Sequence, residues 1–280
     1  MAIYSMSVKI VGRSAGRSAV SSAAYRSGSK MKDERYGEIY DFTRKGGVYG
    51  AEIIAPENAP DWVQNREQLW NEVERVERRK DSQLAREVLV SLPIELNNEQ
   101  RQELTRRFVQ EQFVNQGMIA DIGYHKFDSH NPHAHIMLTL RHIHENGFGK
   151  KNREWDKKQM LVRQRKAWAT HANWALEQAG YQTRIDHRSL EAQGINRIPQ
   201  PKLGPNVLQM EAKGIRTRIG DEFRQVAELN RQLANLNSEY QNVGQEINPE
   251  IASGQLTKLA PDTSQSKRRH PQSREADLER

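Results

Sequence analysis

The 280-residue chain has no cysteine. That absence excludes a disulfide framework and any thiolate-held metal, so a bound ion must be held by His, Asp or Glu. Long apolar runs are missing as well. The N-terminal stretch MAIYSMSVKIVGRSAGRS has no sustained hydrophobic core before a cleavage site, and nothing later resembles a membrane span. The expectation is a cytoplasmic protein. Hydrophobic residues are scarce at 36% while charged residues reach 28%, which points to a share of the chain that is solvated rather than packed. There is no G-x-x-x-x-G-K-[ST] run, so nucleotide use is not expected, and there is no internal repeat. What the chain has in excess is positive charge: a net +7 favours a polyanionic partner such as nucleic acid.

Local patterns sketch the elements. Ile3 to Ile10 alternates as a strand, with Tyr4, Met6, Val8 and Ile10 on one face. Small residues from Ser18 to Ala24 suit a closely packed helix that Gly28 stops, which leaves Tyr25 in its last turn. In GEIYDFTRKGGVYGAEI two β-rich runs flank Lys45-Gly46-Gly47 and read as a hairpin. Pro60 and Asp61 announce a surface helix to about Arg79. LAREVLVSLP reads as a strand that sets Val88, Val90 and Leu92 against Glu87, Leu89 and Ser91. Asn98 caps a helix running to Gly117. MIADIGYHKF and HAHIMLTL are two strands joined by a turn from Asp128 to Pro132. FGKKNREW reads as a basic loop, Asp156 to Gln178 as a helix, and RIPQPKLGPN as a boundary. Beyond it, Ile219, Val226, Leu229, Leu233, Leu236, Tyr240, Val243 and Ile247 keep the spacing of a short coiled-coil seam, although its many Asn and Gln residues argue against a stable homodimer. The expected organisation is a folded domain over 1–205, a helical extension over 206–248 and a disordered polar tail over 249–280.

The second of the paired strands carries the chemistry. Ala134, Ile136 and Leu138 share one face, so His133 and His135 project from the other, close enough to ligate one ion. His125, in the preceding strand, comes opposite that pair and completes a three-histidine set with open coordination positions. A lone H-x-H is more often without a role; three histidines on one face favour a metal. His130 falls in the turn and is expected in solvent, and Asp128 either orients a ligand through a hydrogen bond or forms an Asx-turn. Neutral imidazoles leave an ion its full charge, which suits polarising a phosphodiester oxygen.

Tyr25 is the second element. Arg13, Arg17 and Arg26 around it supply phosphate contacts, and its small neighbours leave room for a backbone to approach. A free phenol ionises near pH ~10, so a tyrosine nucleophile needs a base or a stabilising cation. Glu87, alone among apolar neighbours on its strand, is a candidate for that apparatus; pairing with a surface arginine is the competing reading. Lys45, Lys150, Lys151 and Arg153 extend the candidate phosphate contacts, with affinity expected to fall steeply with salt.

At this point SAAYRSG, YDFTRKGGV, AEIIAPENAP, QLAREVLVSLP, NPHAHIMLT, GFGKKNREW and DHRSLEAQG, in this order, resemble the MobA/MobL relaxases of mobilisable plasmids, within the HUH endonucleases, over Ala2 to about Pro205. The resemblance implies an α+β fold: a palm-like antiparallel sheet of about five strands, helices packed on one face and single-stranded DNA on the other, followed by a C-terminal helical extension. It implies that Tyr25 cuts one strand at the origin of transfer, oriT, and becomes joined to the 5′ phosphate. His125, His133 and His135 would hold a divalent ion, manganese, magnesium or zinc. Implied partners are single-stranded oriT DNA, relaxosome accessory proteins and a type IV secretion coupling protein. The setting would be a bacterial donor cell, with translocation alongside the DNA. Other readings are a rolling-circle initiator or single-strand transposase of the same superfamily, and a basic DNA-binding accessory protein without catalysis. The last leaves the aligned histidines unexplained.

Overall fold

Side chains two apart on a strand share a face, and this rule sorts the central sheet into an apolar side and a chemical side. The computed structural model describes residues 3–252. In chain order these form β1 (Met6–Gly12), α1 (Ala19–Ser27), β2 (Lys30–Asp33), β3 (Glu38–Asp41), β4 (Val48–Ile54), α2 (Arg66–Val76), β5 (Gln83–Ser91), α3 (Asn98–Gln112), β6 (Ala120–His125) and β7 (His133–Leu138). The short strands β8 (Arg141–His144) and β9 (Gly147–Lys151) follow, then α4 (Lys158–Gln178), α5 (Pro205–Ala212) and α6 (Arg218–Ala252). The sheet has five strands in the order β1-β5-β7-β6-β4, every pairing antiparallel. The expected α+β class with a five-stranded antiparallel sheet is what the chain forms.

On the apolar side, Val88, Val90, Ala134, Ile136, Leu138 and Ile122 pack beneath Leu104 and Phe108 of α3 and Trp168, Ala172 and Leu176 of α4. Each valine, leucine, isoleucine or phenylalanine among them contributes about 1.5–3 kcal/mol when withdrawn from water. α3 begins in a capping box: Asn97 Oδ1 accepts from Gln100 N (2.8 Å) and Gln100 Oε1 from Asn97 N (2.9 Å). The cap is thus one residue before the expected Asn98. Helices also reach the other side of the sheet. There α1 and α2 pack Ala19, Val20, Ala23, Leu69, Trp70 and Val73 over Val11, Ala85 and Met137, so they are not confined to one face. The helix expected from Pro60 is broken, with a 3-10 turn over Asp61–Gln64 before Asn65 caps α2.

Two local expectations are corrected. β3 and β4 do not form a hairpin around Lys45-Gly46-Gly47; β3 pairs with β2, while β4 pairs with β6. The real hairpin turns at Gly37, whose φ of 71° suits glycine and whose N–H bonds Asp33 O at 2.8 Å. The stretch read as a basic loop after His144 instead holds β9, paired with β8. Asn146-Gly147, with Gly147 at φ 103°, is the turn signal that joins them.

The chain divides into two compact units, Met1–His187 and Arg188–Arg280. This division falls before the Pro- and Gly-rich stretch. In the second unit Glu211 accepts from Thr217 N and Oγ1 (both 2.8 Å) and pairs with Arg224 (2.7 Å), joining α5 to the start of α6. The expected seam on α6 leaves Leu229, Leu236 and Tyr240 exposed. The helix continues through Pro249–Ala252, the first residues of the expected tail; the rest of that tail lies outside the described residues.

Candidate active site

Register alone brings the three histidines together. His125 stands directly across from His133, while Gly123 stands across from His135. His125 and His135 are therefore diagonal neighbours, within side-chain reach. Ring centroids lie 5.4 Å (His125–His133), 4.7 Å (His125–His135) and 5.2 Å (His133–His135) apart. One ring nitrogen from each falls within 4.8 Å of the others, the one group of at least three potential ligands found among the described residues.

Each imidazole is also held through one ring nitrogen by a hydrogen bond within the protein. His135 Nδ1–H donates to Glu87 Oε1 (2.6 Å), His133 Nδ1–H to the Asn131 carbonyl (2.8 Å), and His125 Nε2–H to the Arg26 carbonyl (2.6 Å). An oxygen acceptor fixes the proton on the bonded nitrogen and leaves a lone pair on the other, the arrangement of oriented metal ligands. Burial pushes the His125 ring down to about 4, with the charge of Lys45 adding to the effect. Burial also lowers His133. Both are neutral near pH 7, as ligation requires. The donor set, three uncharged nitrogens on one side of a sheet, fits a divalent ion with open positions.

Glu87 reaches His135 diagonally, since Leu89 is the residue directly opposite it. Arg26 Nε also donates to Glu87 Oε1 (2.7 Å), and Arg26 Nη2 lies 2.7 Å from Oε2. Burial pushes this carboxyl up, but hydrogen bonds from His135 and Arg26, together with the arginine's charge, outweigh it and hold the group well below the usual carboxylate range. So anchored, Glu87 is a weak base and an effective orienter of His135. Asp128 is not among the hydrogen-bond partners of the three histidines. It is exposed on the turn, its charge acts on Arg101, and the histidines find other partners.

α1 brings Tyr25 to this neighbourhood through its last turn. Gly123 makes the approach feasible, because a Cβ there would lie 2.5 Å from the Arg26 carbonyl oxygen that holds His125. Neither Gly123 nor this carbonyl was legible in the sequence. Tyr25 is 47% exposed, meets Phe42 edge-on at 5.3 Å and has Lys45 Nζ 3.6 Å from its ring centroid.

The model of the MobA/MobL family matches residues 17–213. The chain belongs to the MobA/MobL family. It is 37% identical over 265 residues to the mobilization protein MobL of Acidithiobacillus ferridurans, covering 82% of this chain and 68% of that protein. It is also 37% identical over 264 residues to the conjugal transfer protein TraA of Rhizobium radiobacter, where it spans only 24% of the longer protein. A solved structure from work on the molecular basis of vancomycin resistance transfer in Staphylococcus aureus superposes with a TM-score of 0.64 at 37% identity, covering 67% of this chain and 100% of that one. The chain is thus a mobilization and relaxase family protein.

The cations expected to meet DNA separate into two groups in this MobA/MobL chain. Arg17, Lys150 and Arg153 are exposed, and their side chains make no hydrogen bond or ion pair among the described residues. The others are engaged within the protein. Arg13 is buried, bonding Glu77 O (2.7 Å), Arg79 O and Glu74 (2.5 Å), so it ties β1 to α2 rather than facing solvent. Lys151 bonds Gln83 O (2.6 Å) and Glu77 (3.2 Å), and Arg26 bonds Glu87. Among the described residues no helix is long and apolar enough to cross a membrane.

Proposed function

We propose that this chain nicks and rejoins one strand of oriT DNA, with Tyr25 as nucleophile and His125, His133 and His135 holding a divalent ion. The observation that carries the reading is the convergence of three oriented imidazoles beside the helix end that presents an exposed tyrosine. An ion bound there would polarise a non-bridging oxygen of the scissile phosphate. An all-imidazole set suits zinc better than magnesium or manganese, which prefer carboxylates and water, so metal availability decides between them.

Tyr25 Oη forms a bond to phosphorus and gives up its proton, while the 3′ oxygen leaves and takes one up. The product is a 5′-phosphotyrosyl bond and a free 3′ hydroxyl. Because one phosphodiester replaces another, attack by a 3′ hydroxyl on that bond runs the reaction backwards at the same site. Glu87 keeps His135 in the ligating tautomer throughout. Arg17, Lys150 and Arg153 are available to the DNA backbone.

A denaturing gel tests this. Origin single strands labelled on either side of the nick are incubated with the protein and manganese or with chelator. Label 3′ of the cut should shift onto the protein only with metal and only when Tyr25 is intact. Binding without an adduct, unchanged by Tyr25→Phe across a broad panel of origins, would favour the accessory-protein reading.

A further inference from the structure

The phenol of Tyr25 makes no hydrogen bond among the described residues, and nearly half of the residue is exposed. A free tyrosine side chain at a helix end samples several rotamers, which is poor preparation for in-line attack. Two neighbours restrain this one. Phe42 meets its edge, and Lys45 Nζ lies 3.6 Å from the ring centroid while donating to the carbonyl of Tyr25 itself at 2.8 Å. That carbonyl belongs to the last turn of α1, where helix carbonyls lack intrahelical partners. One ammonium therefore fastens both the backbone and the ring of the same residue.

The segment carrying these groups is itself anchored. Phe42 N donates to Ser29 O (3.1 Å), just past the αL cap at Gly28, and Lys45 N donates to Phe42 O (2.9 Å). The Gly28 backbone also lies close against Val48, where a Cβ on the glycine would be 3.2 Å from Cγ2. The connection from β3 to β4 is thus folded over the end of α1.

We propose that Lys45 is a positioning residue for the Tyr25 nucleophile, clamping its ring and helix-end carbonyl so that the phenol is presented in one orientation. This rests on the nicking reading above. The contact also favours the reaction. As the phenol loses its proton, negative charge spreads into a ring that already faces a cation, so the interaction is stronger in the transition state than before it. Lys45 was expected at a DNA phosphate; the clamp assigns its charge to the enzyme's own nucleophile.

The two roles predict different losses. With single-turnover adduct formation measured against DNA concentration, Lys45→Met should lower the saturating rate about tenfold, leave half-saturation nearly unchanged, and be largely rescued by Lys45→Arg. Weaker half-saturation with an unchanged saturating rate would overturn the clamp in favour of a phosphate contact. An equal saturating rate in wild type and Lys45→Met would overturn it as well. A wild type that forms no adduct with any origin strand removes the nicking reading and the clamp with it. Ring-13C tyrosine NMR gives a readout without activity: the Tyr25 resonance, assigned by its loss in Tyr25→Phe, should move in Lys45→Met, and an unmoved resonance contradicts the contact.

Discussion

The chain contains two H-x-H strands, and only one of them gathers a possible metal site. His133-Ala134-His135 lies on β7 and His142-Ile143-His144 on β8, each with a buried apolar residue between its histidines. In β8 the rings are 6.3 Å apart, and His142 leans on Trp155 (4.6 Å) and bonds the Asn152 amide (3.0 Å). No third ligand joins them among the described residues. In β7 the partner strand supplies His125 in register, and every ring is turned by an oxygen acceptor. Spacing creates a pair; a paired strand and its hydrogen-bonding partners make the site.

That contrast can be broken in order of severity. His125→Ala should reduce β7 to the condition of β8. Manganese affinity by calorimetry should then fall by more than the roughly 10–100-fold that loss of a supporting partner costs, and the rise in Tm with manganese should vanish. Retained affinity would mean that the β7 pair suffices alone. Glu87→Gln keeps the shape but weakens the hold on His135, and should cost about 10–100-fold in the same titration. An unchanged isotherm would reduce Glu87 to a structural partner of Arg26.

Gly123→Ala forces a methyl group against the Arg26 carbonyl. Thermal denaturation should show a loss of about 1–3 kcal/mol, with weaker metal binding as the support for His125 moves. A fully stable variant with normal affinity would show that α1 need not approach so closely. The smallest effect belongs to β8. His142→Ala should leave metal affinity untouched and cost about 0.5–1.5 kcal/mol through the lost Asn152 hydrogen bond. A large drop in manganese binding there would erase the distinction between the two strands.

Much of the histidine face was legible because side-chain alternation is a local property. His133, His135, Val88 and Val90 sort to their sides whatever the rest of the chain does. The sequence suggests a β3–β4 hairpin because Lys45-Gly46-Gly47 is a valid turn signal, and nothing local says that β4 will lie beside β6 instead. Arg13 and Arg26 look like phosphate ligands in sequence because a guanidinium serves an internal carboxylate equally well. Glu87 was legible as an odd residue on its strand, but its allegiance to His135 depends on which strand lies beside it.

The sequence by itself determined the elements and the faces they present: the absence of thiolates, the β6–β7 pairing, the glycine-stopped helix carrying Tyr25, and the family blocks. Tertiary structure alone decided what those faces meet. It put Gly123 under the Arg26 carbonyl, Lys45 over the Tyr25 ring, and Arg13 inside the protein. The physical reason is range. Turn and alternation preferences act over a few residues, whereas these contacts join positions 20 to 97 residues apart, set only when strands pair and helices pack.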